Sequence, residues 1–337
     1  MKIFFVGDYS NNTGPSIANK IIRRGLENNK NMLYSDAKNK IMRVLELIIK
    51  TMRADYVCLC SFSKSNIICI KIAKLFNKKV LYLMHGYSTY ESKINNKAIT
   101  KEKLKSINDF EKYIFKNVDR VFCVSMKFME YMKKEEPEYA DKFDYNFNGI
   151  DIEKIKSIVL THNSNKKNNQ IVSIGGGVRQ KNNLMICEAI DKLNKEKKMN
   201  LKYIVIGQAG TDKEQICSYD FVTYYDKLTH EKVLYILSES YLYIQNSEFE
   251  TFGLAIIEAL ICNCNLLISN NIGSMDIIET IENGDIIFNN KNNDEIAEKI
   301  EKLLIRANQS RLKKGLNIQQ IHFKASAMSL VDKIYNS

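Results

Sequence analysis

The chain has 337 residues, 45% of them hydrophobic, and a formal net charge of +11. This length exceeds that of one ordinary hydrophobic core and suits two domains of common size. No run approaches the roughly 20 consecutive apolar residues of a membrane-spanning helix. The apolar start, residues 1–7, is too short and too strand-like for a signal peptide. These properties exclude an integral helical membrane protein and predict a cytoplasmic location.

The eight cysteines and four histidines predict no metal site. The cysteines lie mostly within apolar segments and form no Cys-x-x-Cys pair, which indicates reduced core residues. Zinc would require clustered ligands, whereas His85, His162, His230 and His322 are scattered singly.

Positive charge is concentrated in the first half of the chain. Residues 1–160 hold 29 Lys and Arg against 18 Asp and Glu, and residues 161–337 hold 21 against 21. A basic half favours an anionic partner such as a phospholipid surface, a polyprenyl phosphate or a nucleic acid. A general bias toward lysine codons explains the same excess, and strong Asn and Ile usage points that way.

Alternating strand and helix patterns predict a parallel sheet in the first half. Residues 2–7 form an apolar strand, and a loop containing Gly14 precedes a helical pattern from Ile17 to Leu26, without a G-x-G-x-x-G fingerprint. The strand at 79–84 ends in His85, at the sheet edge where ligands bind. Further predicted elements are an amphipathic helix at 36–53, helices at 64–77 and 101–117, strands at 55–61, 119–125 and 143–147, and a polar loop at 87–100.

The predicted helix at 64–77 carries lysines around an apolar set. Such a helix suits a membrane surface. Packing of the same apolar residues on the sheet is the commoner arrangement, and both interpretations stay open.

A second set of strand and helix patterns follows a polar stretch at 162–169, which is predicted to be an interdomain linker. The strand at 170–174 leads into three glycines, Gly175 to Gly177, followed by Arg179 and Lys181. Glycines permit close backbone approach, and the two cations suit a diphosphate. Further predicted strands lie at 201–207, 221–225, 241–245 and 265–269, with helices after 183, after His230 and near 293–307.

Two glutamates stand eight residues apart in the stretch 247–260. Glu250 lies on a loop between a buried strand and an apolar helix that begins near Gly253, and Glu258 lies inside that helix. The helix N-terminus offers free N–H groups and the positive end of its dipole to an anion such as phosphate. Glu258 in an apolar helix indicates a carboxylate with polar partners such as sugar hydroxyls. Two solvated acids beside a core helix are the alternative.

The pattern S-x-x-E-x-F-G-x-x-x-x-E at 247–258 resembles the E-x7-E signature of the family-4 retaining glycosyltransferases. The resemblance implies that Glu250 lies beside the donor sugar and that Glu258 binds the nucleotide ribose. The backbone of Phe252, Gly253 and Leu254 would hold the diphosphate.

Other segments are similar to the same family. The family carries an arginine five residues before its lysine, and Gly176 occupies that position here. Arg179 is expected to take the place of that arginine by reaching the diphosphate from a different direction. His85 would approach the donor sugar from the acceptor side, and Leu228 belongs to a turn resembling the base-contacting one. The implied site is catalytic His85, Lys181 and Glu250, with donor binding by Gly14, Gly175, Arg179, Lys181, Leu228, Phe252, Gly253, Leu254 and Glu258 and no metal.

The resemblance implies the α/β fold termed GT-B, with two facing Rossmann-like domains. Residues 1–155 would form the acceptor-binding domain and residues 165–318 the nucleotide-sugar domain. Residues 319–337 would form a helix that packs back on the first domain.

The implied activity is that of a retaining glycosyltransferase of the hexosyltransferase type. It would use a nucleotide sugar, expected to be a UDP-sugar, and a glycan or lipid-linked acceptor in bacterial cell-surface polysaccharide or glycoconjugate synthesis. We expect no cofactor, no nucleic-acid partner, and peripheral attachment to an anionic surface at the inner face of the membrane. A catalytically silent subunit that binds a partner or glycan is the alternative. An NAD-dependent dehydrogenase is disfavoured because its glycine fingerprint is absent.

Overall fold

A computed structural model describes residues 1–11, 13–96, 98–162 and 165–337. The described chain divides into two compact units. The first contains Met1–Lys93, Ala98–Asp151 and Ile318–Ser337, and the second contains Ile152–Asn317 with residues 94–96.

The first unit is built on a six-stranded sheet in which every described strand pair is parallel, in the order β2-β1-β3-β4-β5-β6. Strand β1 reads Ile-Phe-Phe-Val and is buried throughout, as a strand covered on both faces must be. Its elements are β1 (Ile3–Val6), α1 (Gly14–Gly25), β2 (Met32–Tyr34), α2 (Lys40–Arg53), β3 (Tyr56–Leu59), α3 (Asn66–Leu75), β4 (Lys79–Met84), α4 (Ser88–Asn95), α5 (Lys101–Asn117), β5 (Arg120–Cys123), α6 (Met126–Glu135) and β6 (Phe143–Tyr145).

The predicted polar loop at 87–100 is wrong over most of its length, because residues 88–95 form helix α4. A residue distant in sequence caps this helix. The Glu111 carboxylate on α5 accepts hydrogen bonds from the backbone amides of Ser88 and Thr89, at 2.8 and 2.9 Å. Burial raises the pKa of Glu111 to about 7, against the opposing effect of these hydrogen bonds. Local periodicity carries no signal for such a cap.

The second unit has its own six-stranded parallel sheet, in the order β12-β11-β10-β7-β8-β9. Buried aliphatic side chains of α8 and α12 form a core on its strands. Its elements are α7 (Ile152–Thr161), β7 (Lys167–Ile174), α8 (Asn183–Lys197), β8 (Lys202–Ile206), α9 (Lys213–Cys217), β9 (Val222–Tyr225), α10 (His230–Glu239), β10 (Ser240–Gln245), α11 (Leu254–Ile261), β11 (Asn265–Ser269), β12 (Ile286–Ile287), α12 (Asn293–Ile305) and α13 (Gln309–Lys314).

The change of unit falls at 151/152, earlier than the boundary expected between 155 and 165. Helix α7 belongs to the second unit because it packs against α10 and α11. Of the linker predicted at 162–169, residues 163 and 164 lie outside the described part, and residues 167–169 already belong to strand β7.

The last two helices, α14 (Ile318–Ile321) and α15 (Phe323–Tyr335), belong to the first unit. Helix α15 packs against α1. The Ile150 backbone pairs with the start of this segment, since its N–H donates to the Ile321 carbonyl at 2.7 Å and its carbonyl accepts from Phe323 at 3.2 Å.

Two expectations from composition concern the whole chain. All eight cysteines are free, and seven of them are buried. No helix in the described ranges is long and apolar enough to cross a membrane.

Candidate functional site

The order of strands in the second sheet reverses its direction between β7 and β10. Strand β7 lies between β10 and β8, so the chain runs outward from β7 in one direction and returns to β10 on the other side. In open parallel sheets ligands bind beyond the carboxyl ends of the strands at such a switch point. The loops that leave β7 and β10 therefore define a candidate site, and they carry Lys181 and Glu250.

Lys181 and Glu250 form an ion pair between these two loops, through Lys181 Nζ and Glu250 Oε2. Both side chains are largely buried, with exposed fractions of 23% and 18%. A lysine is a compact positive charge that binds phosphate oxygens well. The pair thus holds a cation and a carboxylate at the switch point, 69 residues apart in sequence.

Gln180 fastens the two loops to each other, and sequence reasoning missed it. Its carbonyl accepts from the Glu248 N–H at 2.9 Å, and its side-chain amide donates to the Phe249 carbonyl at 2.7 Å. Gln180 is 7% exposed. These bonds fix the backbone on both sides of the ion pair, and a lone glutamine beside a lysine gives no sequence signal for that role.

The glycines after β7 serve a close approach between two chain segments. The N–H groups of Gly175 and Gly176 donate to the Ile206 carbonyl at 2.7 and 3.0 Å, and that of Gly177 donates to Gln208 at 3.1 Å. At Gly176, where φ is +61°, a Cβ would lie 2.1 Å from the Gln208 carbonyl oxygen. The sequence predicted that a diphosphate comes close to these glycines. In the structure, residues 206–208 of the same chain occupy that position and accept hydrogen bonds from the glycine amides.

Gly175 also makes room for the Lys181 side chain. A Cβ at Gly175 would lie 2.4 Å from Lys181 Cγ, and its φ of +138° disfavours other residues. The absence of a side chain at Gly175 thus leaves room for the aliphatic stem of Lys181.

Gly253 is the N-cap residue immediately before helix α11 and lies beside Glu250. Its φ of +90° is left-handed, and a Cβ there would lie 2.8 Å from Ile256 Cδ1 and 3.2 Å from Glu250 Cγ. Phe252 before it is buried. The first N–H groups of the helix, beginning with Leu254, have no partner within the helix and carry the positive end of its dipole. This end of α11 is suited to an anion.

Glu258, inside α11, is paired with His230 at the start of α10. His230 Nε2 and Glu258 Oε1 are 2.7 Å apart, and the glutamate side chain is 13% exposed. Sequence reasoning predicted polar partners for Glu258 but missed His230, because 28 residues separate the two. The hydrogen bond that His230 donates to the Glu258 carboxylate raises the pKa of His230, against opposing effects of burial and of Lys154.

This pair predicts a pH-dependent contribution to stability. The pKa of His230 is raised in the folded chain above its ordinary value of 6.5. The stabilisation is therefore fully present below that value and is lost as pH rises through the folded-state pKa. We expect the unfolding midpoint of the parent to exceed that of His230→Gln at about pH 5.5 and to match it more closely at about pH 8.5.

Glu258→Gln is the matched control, since it removes the carboxylate partner of His230 and should abolish the same pH-dependent difference. An equal gap between the parent and His230→Gln at both pH values would contradict this account.

In the first unit, His85 follows β4 and contacts α1. Its Nε2 lies 3.0 Å from Asn19 Oδ1, and the Asn19 amide donates to the Cys60 carbonyl at 3.0 Å. The asparagine oxygen therefore faces the histidine, so Nε2 carries the proton. Burial lowers the pKa of His85 to about 4, which keeps the ring neutral near pH 7. A neutral imidazole suits hydrogen bonding to a sugar hydroxyl.

Gly14 is the first residue of α1, and a Cβ there would meet nothing within 4 Å. Asp8 orders the loop before it by accepting from the Ser16 hydroxyl at 2.6 Å and from the Ser10 amide at 2.9 Å. Although burial acts to raise it, these hydrogen bonds hold the pKa of Asp8 well below its usual value. Asp8 thus binds one residue of the loop and one residue of α1, and the position of Gly14 has open space around it.

Arg179 and Leu228 lie on loops of the second unit. Arg179 begins a 3₁₀ turn that ends at Lys181, and none of the residues that the structure describes forms an ion pair with it. Leu228 is half-buried and precedes Thr229, whose hydroxyl caps α10 by accepting from the Lys232 N–H. Neither Arg179 nor Leu228 takes part in the ion pair between Lys181 and Glu250. The described residues also contain no group of three or more metal-ligating side chains placed to hold an ion.

Comparison with known families finds a similarity for the second unit. Residues 155–317 match the family described as glycosyl transferases group 1. This range contains both loops of the switch point and the Glu258–His230 pair. Residues 155–317 are therefore similar to a group 1 glycosyltransferase domain. Curated proteins gave no match.

Solved structures share the fold of the whole chain. Alr3699/HepE from Anabaena, in complex with UDP and glucose, aligns with a TM-score of 0.71 at 13% identity over 100% of both chains. Sucrose-phosphate synthase from Thermosynechococcus elongatus gives 0.76 at 14% identity, covering 100% of this chain and 99% of that one. The α,α-trehalose-phosphate synthase (UDP-forming) of Burkholderia xenovorans gives 0.69 at 8%, covering 99% and 100%. The expected α/β two-domain architecture of the GT-B type is confirmed.

Proposed function

We propose that this protein is a retaining glycosyltransferase that moves a hexose from a nucleotide sugar to an acceptor hydroxyl. The observation that carries the proposal is the Lys181–Glu250 pair, held at the switch point of the second sheet beside the N-terminus of α11. A phosphate-binding cation and a helix N-terminus stabilise a departing nucleoside diphosphate, and a carboxylate stabilises positive charge that develops on the sugar.

Each group has a proposed role in the second unit. Lys181 and the first amides of α11 stabilise the charge that develops on the departing diphosphate. Because Lys181 is already paired, a bound diphosphate competes with Glu250 for the ammonium group and turns the carboxylate toward the sugar. Glu258 binds the ribose hydroxyls, and Leu228 contacts the base. Arg179 remains a proposed second cation.

The first unit is proposed to hold the acceptor, a glycan or a lipid-linked sugar. His85 would contact the donor sugar from the acceptor side, and the Gly14 loop would face the donor. UDP is the nucleotide we favour, because Alr3699/HepE is described with UDP and with UDP-glucose. Synthesis of bacterial cell-surface polysaccharide, at the inner face of the membrane, is the proposed setting, and the basic first half favours an anionic surface there.

Transfer is predicted to need no divalent metal. The positive charge that a metal would supply to the diphosphate comes here from Lys181 and the start of α11. The sequence also contains no Asp-x-Asp pair. Turnover should therefore survive dialysis against EDTA. Complete loss of turnover in EDTA, restored by magnesium or manganese, would contradict the proposed leaving-group chemistry.

A donor screen by thermal unfolding tests the proposal. A ligand at one hundred times its Kd stabilises a folded protein by about 2.7 kcal/mol, so the true donor should raise the unfolding midpoint clearly. We expect one sugar nucleotide to do so in the parent and to do much less in Glu258→Ala. A panel of UDP-, GDP-, ADP- and dTDP-sugars without any shift would count against nucleotide-sugar binding.

A further inference from the structure

Helix α2 turns its charged side toward the protein. The Arg43 guanidinium donates to the Gly7 carbonyl at 3.1 Å, and Lys50 Nζ donates to the Tyr34 carbonyl at 2.5 Å. Glu46 binds Lys50 at 2.7 Å and accepts from two backbone amides in the loop before the helix. These charges are therefore used inside the first unit.

Leu47 of α2 is fully buried, but most other apolar side chains of the helix face outward. Residues at positions 41, 45, 49 and 52 follow the three-to-four-residue spacing of a single helix face. A surface helix of a globular protein normally buries this face. Here it is exposed: Ile41 73%, Met42 58%, Leu45 47%, Ile49 51% and Met52 46%.

We call this exposed face the α2 stripe (Ile41, Met42, Leu45, Ile49 and Met52). Cations without acidic partners lie at both of its ends. Lys38 and Lys40 lie at its start and Arg53 at its end, and all three are exposed. Among described residues none of them forms an ion pair, and Glu46, the acid of the helix, is bound to Lys50. An apolar stripe flanked by basic residues fits the interface of an anionic bilayer.

We propose that the α2 stripe inserts into the headgroup region of an anionic lipid bilayer and holds the first unit on the membrane surface. This inference deepens the membrane contact proposed above and does not depend on the transfer reaction. It also places the contact on a different helix from the one considered in the sequence, because the helix at 64–77, for which a membrane surface and packing on the sheet both stayed open, corresponds to α3. Cys69, Ile70 and Ala73 of α3 are fully buried.

A second copy of the chain fits the stripe less well. Specific dimers bury about 800 Å² per partner, which exceeds what one helical stripe offers. Two copies related by a two-fold axis would also bring cationic helix ends together, and like charges across an interface are unfavourable. A bilayer with anionic headgroups satisfies both the apolar side chains and the cations.

The chain contains no tryptophan, so a single introduced indole reports insertion without background. We would prepare Leu45→Trp and, as matched control, Leu160→Trp, since Leu160 on α7 is also exposed. With vesicles of phosphatidylcholine and phosphatidylglycerol, the emission of Leu45→Trp should shift to the blue and be quenched by brominated lipid. That of Leu160→Trp should do neither.

Co-flotation with the same vesicles tests the stripe without a probe. The triple variant Ile41→Ser, Leu45→Ser, Ile49→Ser should bind at least about tenfold more weakly than the parent, whereas Leu160→Ser, Ile305→Ser should bind like it. Lys38→Glu, Lys40→Glu, Arg53→Glu should lose the preference for anionic lipid. Because the replaced side chains are exposed, the variants should keep the parental unfolding midpoint.

Two results would overturn the proposal. One is vesicle binding by the triple serine variant equal to that of the parent. The other is a parent that ignores vesicles but forms a dimer that the triple variant dissociates, which would make the stripe an interface between copies.

Discussion

Replacing Lys181 with alanine is expected to lower turnover at saturating donor by about 10²–10³-fold and to weaken nucleotide binding as well. Lys181 lies on the loop after β7, and its ammonium group contacts Glu250 on the loop after β10. Its charge stabilises the diphosphate more as that group departs, so the loss appears in kcat in addition to KM.

A second substitution separates charge from packing at this position. Lys181→Met keeps the aliphatic stem that lies over Gly175 and removes only the ammonium group. Its turnover should fall as far as that of Lys181→Ala. Lys192→Ala is the matched control, because Lys192 also forms an ion pair, with Asp294 at 2.6 Å, but lies between α8 and α12. Near-parental turnover in Lys181→Met would remove the lysine charge from the mechanism.

The two glutamates of the signature are expected to affect different kinetic constants. Glu250→Ala should cost about 2–4 kcal/mol of transition-state stabilisation with nucleotide affinity largely kept, because Glu250 lies beside the proposed sugar position. Glu258→Ala should chiefly weaken nucleotide binding, since a ribose contact is the same in ground and transition states. Calorimetric nucleotide affinity and turnover at saturating donor would be measured for each variant.

His230 supplies the control for this comparison. Glu258→Ala removes both the proposed ribose contact and the partner of His230, whereas His230→Gln removes only the pair. Nucleotide affinity should therefore fall in Glu258→Ala and hold in His230→Gln. If Glu258→Ala bound nucleotide like the parent while Glu250→Ala bound none, the two assigned roles would be reversed.

Hydrophobic periodicity predicted the alternating elements well, because buried parallel strands are continuous apolar runs. The helix at 101–117 and the strands at 79–84 and 265–269 have the predicted bounds. Periodicity failed at α4, where the capping carboxylate of Glu111 comes from another helix. The spacing in α2 predicted an amphipathic helix but does not specify which face is buried.

The sequence predicted which residues belong to the candidate site, but it did not predict which of them contact each other. The signature at 247–258 and the cations near 180 identified Lys181 and Glu250 separately, and the structure joins them. Partners far apart in sequence gave no signal, as with Glu258 and His230. The three glycines indicated a close backbone approach, and the segment they admit is 206–208 of the same chain.

Acceptor-dependent release of nucleotide from the stabilising sugar nucleotide tests the central claim most directly. The parent would be incubated with that donor and with simple glycosides or polyprenyl-phosphate-linked sugars, beside Lys181→Met as the inactive control. We predict that the parent releases nucleotide and forms a product with the anomeric configuration of the donor, and that Lys181→Met does neither. Donor binding without release for any acceptor would contradict the claim and indicate a catalytically silent glycosyltransferase-like subunit.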